Sequence, residues 1–167
     1  MKEGIGKTTT YAFIDSQNLH LGIKALGWKI DYKRFYRYLV EKYKVTRAFI
    51  YIGYLKENKE LYDFLTGCGF ILIFKNTKQF GKGRDQVKGN IDVDLTVDAI
   101  KKAKIFDKGI FISADGDFCA LYDYLLEELS KDIVILIPNR HKYSSFLLKY
   151  SGKLQFMNDL EKKIGLR

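Results

Sequence analysis

The sequence predicts an α/β fold in three layers, with helices covering both faces of a mainly parallel central sheet of five to six strands. Two observations predict it. Short apolar runs rich in β-branched and aromatic residues alternate with amphipathic stretches along the chain, which is the pattern of repeated β-α units. The apolar runs are nearly unbroken, as expected of parallel strands that are buried on both faces.

Six runs are the strand candidates. They are residues 11–15 (YAFID), 47–55 (RAFIYIGYL), 70–74 (FILIF), 108–114 (KGIFISA), 132–138 (DIVILIP) and a short final run at 154–157 (LQFM). None approaches the ~20 apolar residues that a membrane-spanning helix needs, so no membrane partner is expected.

The segments between these runs have helical spacing. Asp31 is a candidate N-cap for residues 32–44, and the segment 57–69 ends in glycines, which are common helix stops. The other helix candidates are residues 93–105, 121–129 and 144–150. Right-handed crossovers through such helices produce a three-layer sandwich.

Composition indicates one globular domain, at residues 11–167, after a loose N-terminus at 1–10. The chain has 167 residues, of which 47% are hydrophobic and 29% charged, with no low-complexity linker. The opening MKEGIGKTTT has no apolar signal segment, and two cysteines make neither a disulfide framework nor a zinc cluster. We therefore expect a cytoplasmic protein. A formal net charge of +9 favours a polyanionic partner such as nucleic acid.

One segment, residues 75–92, is polar, contains glycines and is long for a connection in a compact domain. Five basic residues lie within 14 positions of it, opposed only by Asp85: Lys75, Lys78, Lys82, Arg84 and Lys88. Arg140, His141 and Lys142 follow the fifth apolar run and form a second candidate patch. Such residues can follow a phosphate backbone, although a solvated charged loop is the competing interpretation.

Acidic and amide side chains follow the first and fourth apolar runs. Asp15 and Asn18 lie in FIDSQNL, and Ser113, Asp115 and Asp117 lie in FISADGDF. Because ligands bind beyond the carboxyl ends of parallel strands, these side chains are site candidates. The alternative is that they cap the following helices, which explains one acid at each place more easily than two.

A third source of acids is the segment DVDLTVD. Asp94 and Asp98 are four residues apart and share a helix face, so Asp98 could simply pair with Lys102 on a solvated face. Asp92 precedes the predicted helix and could point elsewhere. Spacing does not choose among the three.

Converging carboxylates repel one another and need a cation to neutralise them. Oxygen-only ligands suit Mg²⁺ or Mn²⁺ rather than zinc, and His20 and His141 form no zinc pattern. Such an ion can polarise a phosphoryl oxygen and activate water, so phosphodiester hydrolysis is the matching chemistry.

Three segments in order, FIDSQNL, KGNIDVDLTVDAI and FISADGDF, resemble the NYN domain, in the LabA-like branch of the PIN-like nuclease superfamily. The similarity runs from about residue 11 to residue 157. The resemblance implies a PIN-like, Rossmann-like topology, an acidic pocket for Mg²⁺ or Mn²⁺, and single-stranded RNA as substrate.

Residue by residue, Asp15 and Asn18 match the first motif, Asp92 the central one, and Asp115 and Asp117 the last. The resemblance assigns metal binding to the four aspartates. Ser113 of the last motif and the trailing Asp98 match as secondary residues. KGNIDV has one residue more between Gly89 and Asp92 than the family pattern, so the resemblance assigns Lys88 no role.

The sequence thus predicts a metal-dependent endoribonuclease, possible as a homodimer. Two alternatives remain open: a non-catalytic RNA-binding or regulatory module on the same fold, and a small-molecule phosphohydrolase.

Overall fold

The computed structural model describes residues 6–75 and 91–167. They form a six-stranded sheet in the order β3-β2-β1-β4-β5-β6, and every neighbouring pair is parallel. The strands are β1 (Thr10–Asp15), β2 (Val45–Gly53), β3 (Ile71–Lys75), β4 (Lys108–Ile112), β5 (Asp132–Ile137) and β6 (Leu154–Phe156). The predicted α/β class with a parallel sheet is confirmed.

Helices cover both faces of this sheet. They are α1 (Ser16–Ala25), α2 (Tyr32–Tyr43), α3 (Lys59–Gly67), α4 (Ile91–Lys102), α5 (Cys119–Asp123) and α6 (Glu161–Ile164). Among the described residues, no helix is long and apolar enough to cross a membrane.

The strand order reverses between β1 and β4. The chain builds β1, β2 and β3 outward in one direction and then returns to place β4 on the other side of β1. In sheets of this kind the crevice beyond the carboxyl ends of the two strands at the reversal is the usual ligand site. Here Ile14 of β1 lies opposite Ile112 of β4, so Asp15 and Ser113 both follow directly at that edge.

Two hydrophobic clusters explain why the first apolar run is unbroken. Ala12 and Ile14 belong to the cluster under α1 and α2, whereas Phe13 belongs to the cluster under α4 and α5. The Phe13 ring stacks on Phe111 of the neighbouring strand, with centroids 5.0 Å apart. All six residues of β1 are buried, as alternation in a strand covered on both faces requires.

Two predicted helices have a different form. The segment predicted as helix 121–129 is the short α5 followed by one π-helical turn at Tyr124–Glu128. The segment predicted as helix 144–150 is 3₁₀-helical at Ser145–Lys153 with a kink at Tyr150. The Tyr150 hydroxyl donates to the Cys119 carbonyl at 2.9 Å and to Asp123, so tertiary contacts hold the kink.

Candidate metal centre

The acidic pair Asp115 and Asp117 lies just beyond β4. Asp115 begins a single 3₁₀ turn at Gly116–Phe118, and its carboxylate accepts the Asp117 N–H at 2.9 Å. The Ser113 hydroxyl in turn accepts the Asp115 N–H at 3.1 Å, so Ser113 shapes the turn that presents the acids.

Gly116, between the two acids, has no room for a side chain. A Cβ there would lie 2.4 Å from the Ser144 hydroxyl oxygen. The Ser144 N–H donates to the Ala114 carbonyl at 3.0 Å, which fixes that neighbour in place. Tight packing therefore selects glycine at this position.

Asp15 ends β1 and is only 4% exposed. Its carboxylate accepts the Asn18 N–H at 3.1 Å and so caps α1, as the capping interpretation predicts. Burial raises the pKa of Asp15, hydrogen bonding to Asn18 opposes this, and the nearby charge of Asp115 raises the pKa further. Asp15 is therefore both a helix cap and a member of the acidic group.

Asn18 joins the two strands at the reversal. Its side-chain oxygen accepts the Ala114 N–H at 2.9 Å, which ties the first turn of α1 to the segment beyond β4. Sequence reasoning offered a water or phosphate contact, a cap or a surface amide for Asn18, and did not find this link. Its consequence is that Asp15 and Asp115 are held at one edge.

Asp92 completes the group from the first turn of α4. One carboxylate oxygen from each of Asp92, Asp115 and Asp117 lies within 4.8 Å of the other two. Burial raises the pKa of Asp92 to about 6, and the charges of Asp15, Asp115 and Asp117 act in the same direction, while Lys75 opposes them. These acids repel one another at neutral pH.

The acids open into a cavity of about 590 Å³ at the carboxyl edge of the sheet. Its lining includes Asp15, Asn18, Asp92 and Asp115, and Lys142 from beyond β5. Asp117, which is exposed, stands beside it. The structure thus brings together residues from three separate segments that the sequence analysis selected.

Asn139 is a site residue that the sequence analysis missed. It is 3% exposed, its side-chain nitrogen donates to the Gly22 carbonyl at 3.4 Å, and its oxygen accepts the His141 N–H at 2.9 Å. These bonds anchor the segment that carries Lys142 against α1. A polar residue directly after the apolar strand β5 was the available signal.

Asp94 and Asp98 lie outside the acid cluster although they share α4 with Asp92. The Asp94 carboxylate is 3.7 Å from the Lys75 ammonium. Asp98 accepts a hydrogen bond from the Tyr51 hydroxyl and forms an ion pair with Lys102. For Asp98 the ion-pair interpretation describes the contacts seen.

The predicted basic residues fall into three groups. Lys75 pairs with Asp94 and faces Asp92, and Lys142 lines the cavity. Arg140 pairs with Asp159 at 2.7 Å and lies over the Phe156 ring. The remaining four lie outside the described residues: Lys78, Lys82, Arg84 and Lys88.

The donor set fits a hard divalent cation. The three converging groups are all carboxylates, and oxygen-only donors are what Mg²⁺ and Mn²⁺ prefer. No histidine or cysteine belongs to the groups of metal-ligand geometry within residues 6–75 and 91–167, so a zinc site has no support there.

Comparisons with known proteins agree with this geometry. The family model of the NYN domain matches residues 9–155. The chain is 26% identical over 115 residues to the low amplitude and bright protein LabA of Synechococcus elongatus; the match covers 64% of this chain and spans 61% of LabA.

Among solved structures, a protein of unknown function from Vibrio parahaemolyticus has the same fold. The TM-score is 0.80 at 23% sequence identity, with 98% of this chain and 99% of that chain covered. The family match, which takes in nearly the whole chain and all the clustered acids, shows that this protein belongs to the NYN domain family of the PIN-like nuclease superfamily.

Proposed function

We propose that this protein is an endoribonuclease that hydrolyses phosphodiester bonds of single-stranded RNA with the help of Mg²⁺ or Mn²⁺. The observation that carries the proposal is the convergence of Asp92, Asp115 and Asp117 beside a cavity at the strand-order reversal. Like charges so close together are stable only with a cation among them.

The three converging carboxylates would hold the ion, and Asp15 adds negative charge at the buried edge of the cavity. When bound, the ion supplies a Lewis acid for the phosphoryl oxygen and lowers the pKa of water. Asn18 keeps Asp15 facing Asp115 through its bond to Ala114.

Positive charge at the rim would place the RNA strand. Lys142 lines the cavity directly, while Lys75 stands across it near Asp92 and Asp94. Arg140 is held by Asp159 and contributes from further out. Contacts of this kind bind the phosphate backbone without reading sequence, so broad sequence tolerance is expected.

The test is cleavage of a labelled single-stranded RNA in Mn²⁺. Wild type should cleave, while EDTA, Asp15→Asn or the double variant Asp115→Asn/Asp117→Asn should abolish cleavage. Asp98→Asn is the matched control, since it removes one carboxylate of α4 outside the cluster.

Different outcomes point to different functions. Binding of the RNA without product in Mn²⁺ would replace the nuclease with a non-catalytic RNA-binding module. Hydrolysis of p-nitrophenyl phosphate but not of RNA would support a small-molecule phosphohydrolase. Cleavage that survives in the double variant would show that the acid cluster is not the active site.

A further inference from the structure

A second cavity lies at the opposite edge of the sheet, at the amino ends of β1 and β4. Its volume is about 480 Å³. It is lined by Lys7, Thr8, Thr10, Lys42, Tyr43, Lys44 and Lys108. Because β1 has six residues, at ~3.3 Å each, roughly 17 Å of strand separates this cavity from Asp15. We call it the amino-edge cavity.

The amino-edge cavity has four lysines in its lining and no carboxylate. Lys108 is paired with Asp132 at 2.9 Å. Within the described part of the chain, Lys7, Lys42 and Lys44 form no ion pair with a carboxylate. The cavity therefore carries a net positive charge.

Thr10 supplies a second, independent observation. The residue is 2% exposed, and strand alternation puts its side chain on the same sheet face as Ala12, the face that α2 covers. Among residues 6–75 and 91–167 its hydroxyl makes no hydrogen bond. A buried hydroxyl without a partner is costly, so a polar group in the cavity would stabilise it.

Helix capping explains only part of this arrangement. Lys42 and Lys44 stand at the C-terminus of α2, where cations are favourable, and the Lys44 ammonium donates to the Glu41 carbonyl at 2.9 Å. Capping accounts neither for Lys7 and Lys108, which come from other segments, nor for Thr10.

The aromatic residue of the cavity argues against recognition of a base. Tyr43 is buried, and the Lys42 ammonium lies over its ring at 5.3 Å from the centroid. The Tyr43 hydroxyl also donates to Gln155. The ring therefore presents no free face for stacking, which leaves charge and the Thr10 hydroxyl as the means of recognition.

We infer that the amino-edge cavity binds the phosphate groups of an oligophosphate anion. Lys7 and Lys42 would neutralise it, with Lys108 beside them, and the Thr10 hydroxyl would donate to a phosphate oxygen. The chemistry fits the backbone of a nucleic acid and equally a small multiply phosphorylated ligand. The site is separate from the acid cluster and does not depend on the nuclease proposal.

The test uses inorganic tripolyphosphate as probe, titrated calorimetrically into the full chain in EDTA. Wild type should bind it, and Thr10→Val and the double variant Lys7→Gln/Lys42→Gln should each weaken binding at least tenfold. Two controls should bind as wild type does: Thr10→Ser, which keeps the hydroxyl, and Lys33→Gln/Lys162→Gln, which removes two exposed lysines that line none of the described cavities.

A second arm distinguishes the two phosphate sources, using a labelled 12-nucleotide single-stranded RNA in EDTA. A flatter salt dependence in Lys7→Gln/Lys42→Gln, by about 0.7 in log–log slope per lost phosphate contact, would identify a nucleic-acid backbone. Unchanged RNA affinity alongside weakened tripolyphosphate binding would identify a small phosphate ligand.

Two results would overturn the inference. One is an absence of tripolyphosphate binding to wild type. The other is binding that Thr10→Val and Lys7→Gln/Lys42→Gln leave no weaker than the control variants do. Neither result bears on RNA cleavage in Mn²⁺, so failure here and failure of the nuclease proposal are distinguishable.

Discussion

Two aspartates on the same helix, Asp92 and Asp98, have opposite surroundings. Asp98 receives a hydrogen bond from Tyr51 and an ion pair from Lys102, whose ammonium also lies over the Phe49 ring. Asp92, nearly two turns earlier on α4, faces three other carboxylates, and its pKa is raised to about 6 by burial and their repulsion.

The difference shows how a structural acid can be told from a functional one. The charge of Asp98 is satisfied by the protein itself, so the residue contributes to the packing of α4 on β2. The charge of Asp92 is opposed by its neighbours, and only Lys75 offsets it in part. An acid cluster that the protein leaves poorly neutralised is a candidate for an added cation.

The largest expected contrast between the two acids is in catalysis. Asp92→Asn should lower RNA cleavage in Mn²⁺ by at least about 100-fold, because ion-dependent stabilisation of a transition state is worth several kcal/mol and each ~1.4 kcal/mol is tenfold. Asp98→Asn should stay within a few-fold of wild type. Initial rates at saturating Mn²⁺ measure both, and equal losses would erase the proposed distinction.

Stabilisation by the metal should follow the same division. At a Mn²⁺ concentration 100 times its Kd, wild type should gain about 2.7 kcal/mol in free energy of unfolding. Asp92→Asn should lose most of that gain and Asp98→Asn should keep it. Urea unfolding with Mn²⁺ and with EDTA provides the comparison; a full gain in Asp92→Asn would place the ion elsewhere.

Without metal, the order of the two variants should reverse. Asp98→Ala leaves the buried Tyr51 hydroxyl without its acceptor and should cost about 1–3 kcal/mol of stability in EDTA. Asp98→Asn retains an oxygen acceptor and should cost less. Asp92→Asn removes a repelled charge and should be neutral or stabilising at pH 7. Destabilisation by Asp92→Asn equal to that by Asp98→Ala would contradict the comparison.

The smallest effect is in pH dependence. Since the pKa of Asp92 is raised from 3.8 to about 6, the folded state holds this proton more tightly than the unfolded state does. The stability contributed by Asp92 is therefore present at low pH and lost as pH rises through about 6. In metal-free buffer the unfolding free energy of wild type should fall across this window relative to that of Asp92→Asn. Parallel curves for the two proteins would show that Asp92 is not perturbed.

Much of the architecture follows from the sequence because the information is local. Each unbroken apolar run reports a strand buried on both faces, and the runs alternate with helical spacing, so the parallel α/β sheet could be predicted. Asp15 and Asp115 could be selected because they directly follow apolar runs, and carboxyl ends of parallel strands share an edge.

Other features depend on which elements meet. The spacing in DVDLTVD shows that Asp94 and Asp98 share a helix face but not what packs against it, and only the fold sets Tyr51 against Asp98 and the other acids against Asp92. The same holds for the kink at Tyr150, which its hydroxyl bonds to Cys119 and Asp123 maintain.

By itself, then, the sequence determined the layers of this protein, the order of its strands and helices, and the segments that carry its acids. The tertiary structure decided which acids converge, that Asn18 ties α1 to the end of β4, and that Asn139 anchors the segment of Lys142. The physical reason is distance along the chain: periodicity and capping act over a few residues, whereas the bond from Asn18 to Ala114 joins residues 96 positions apart.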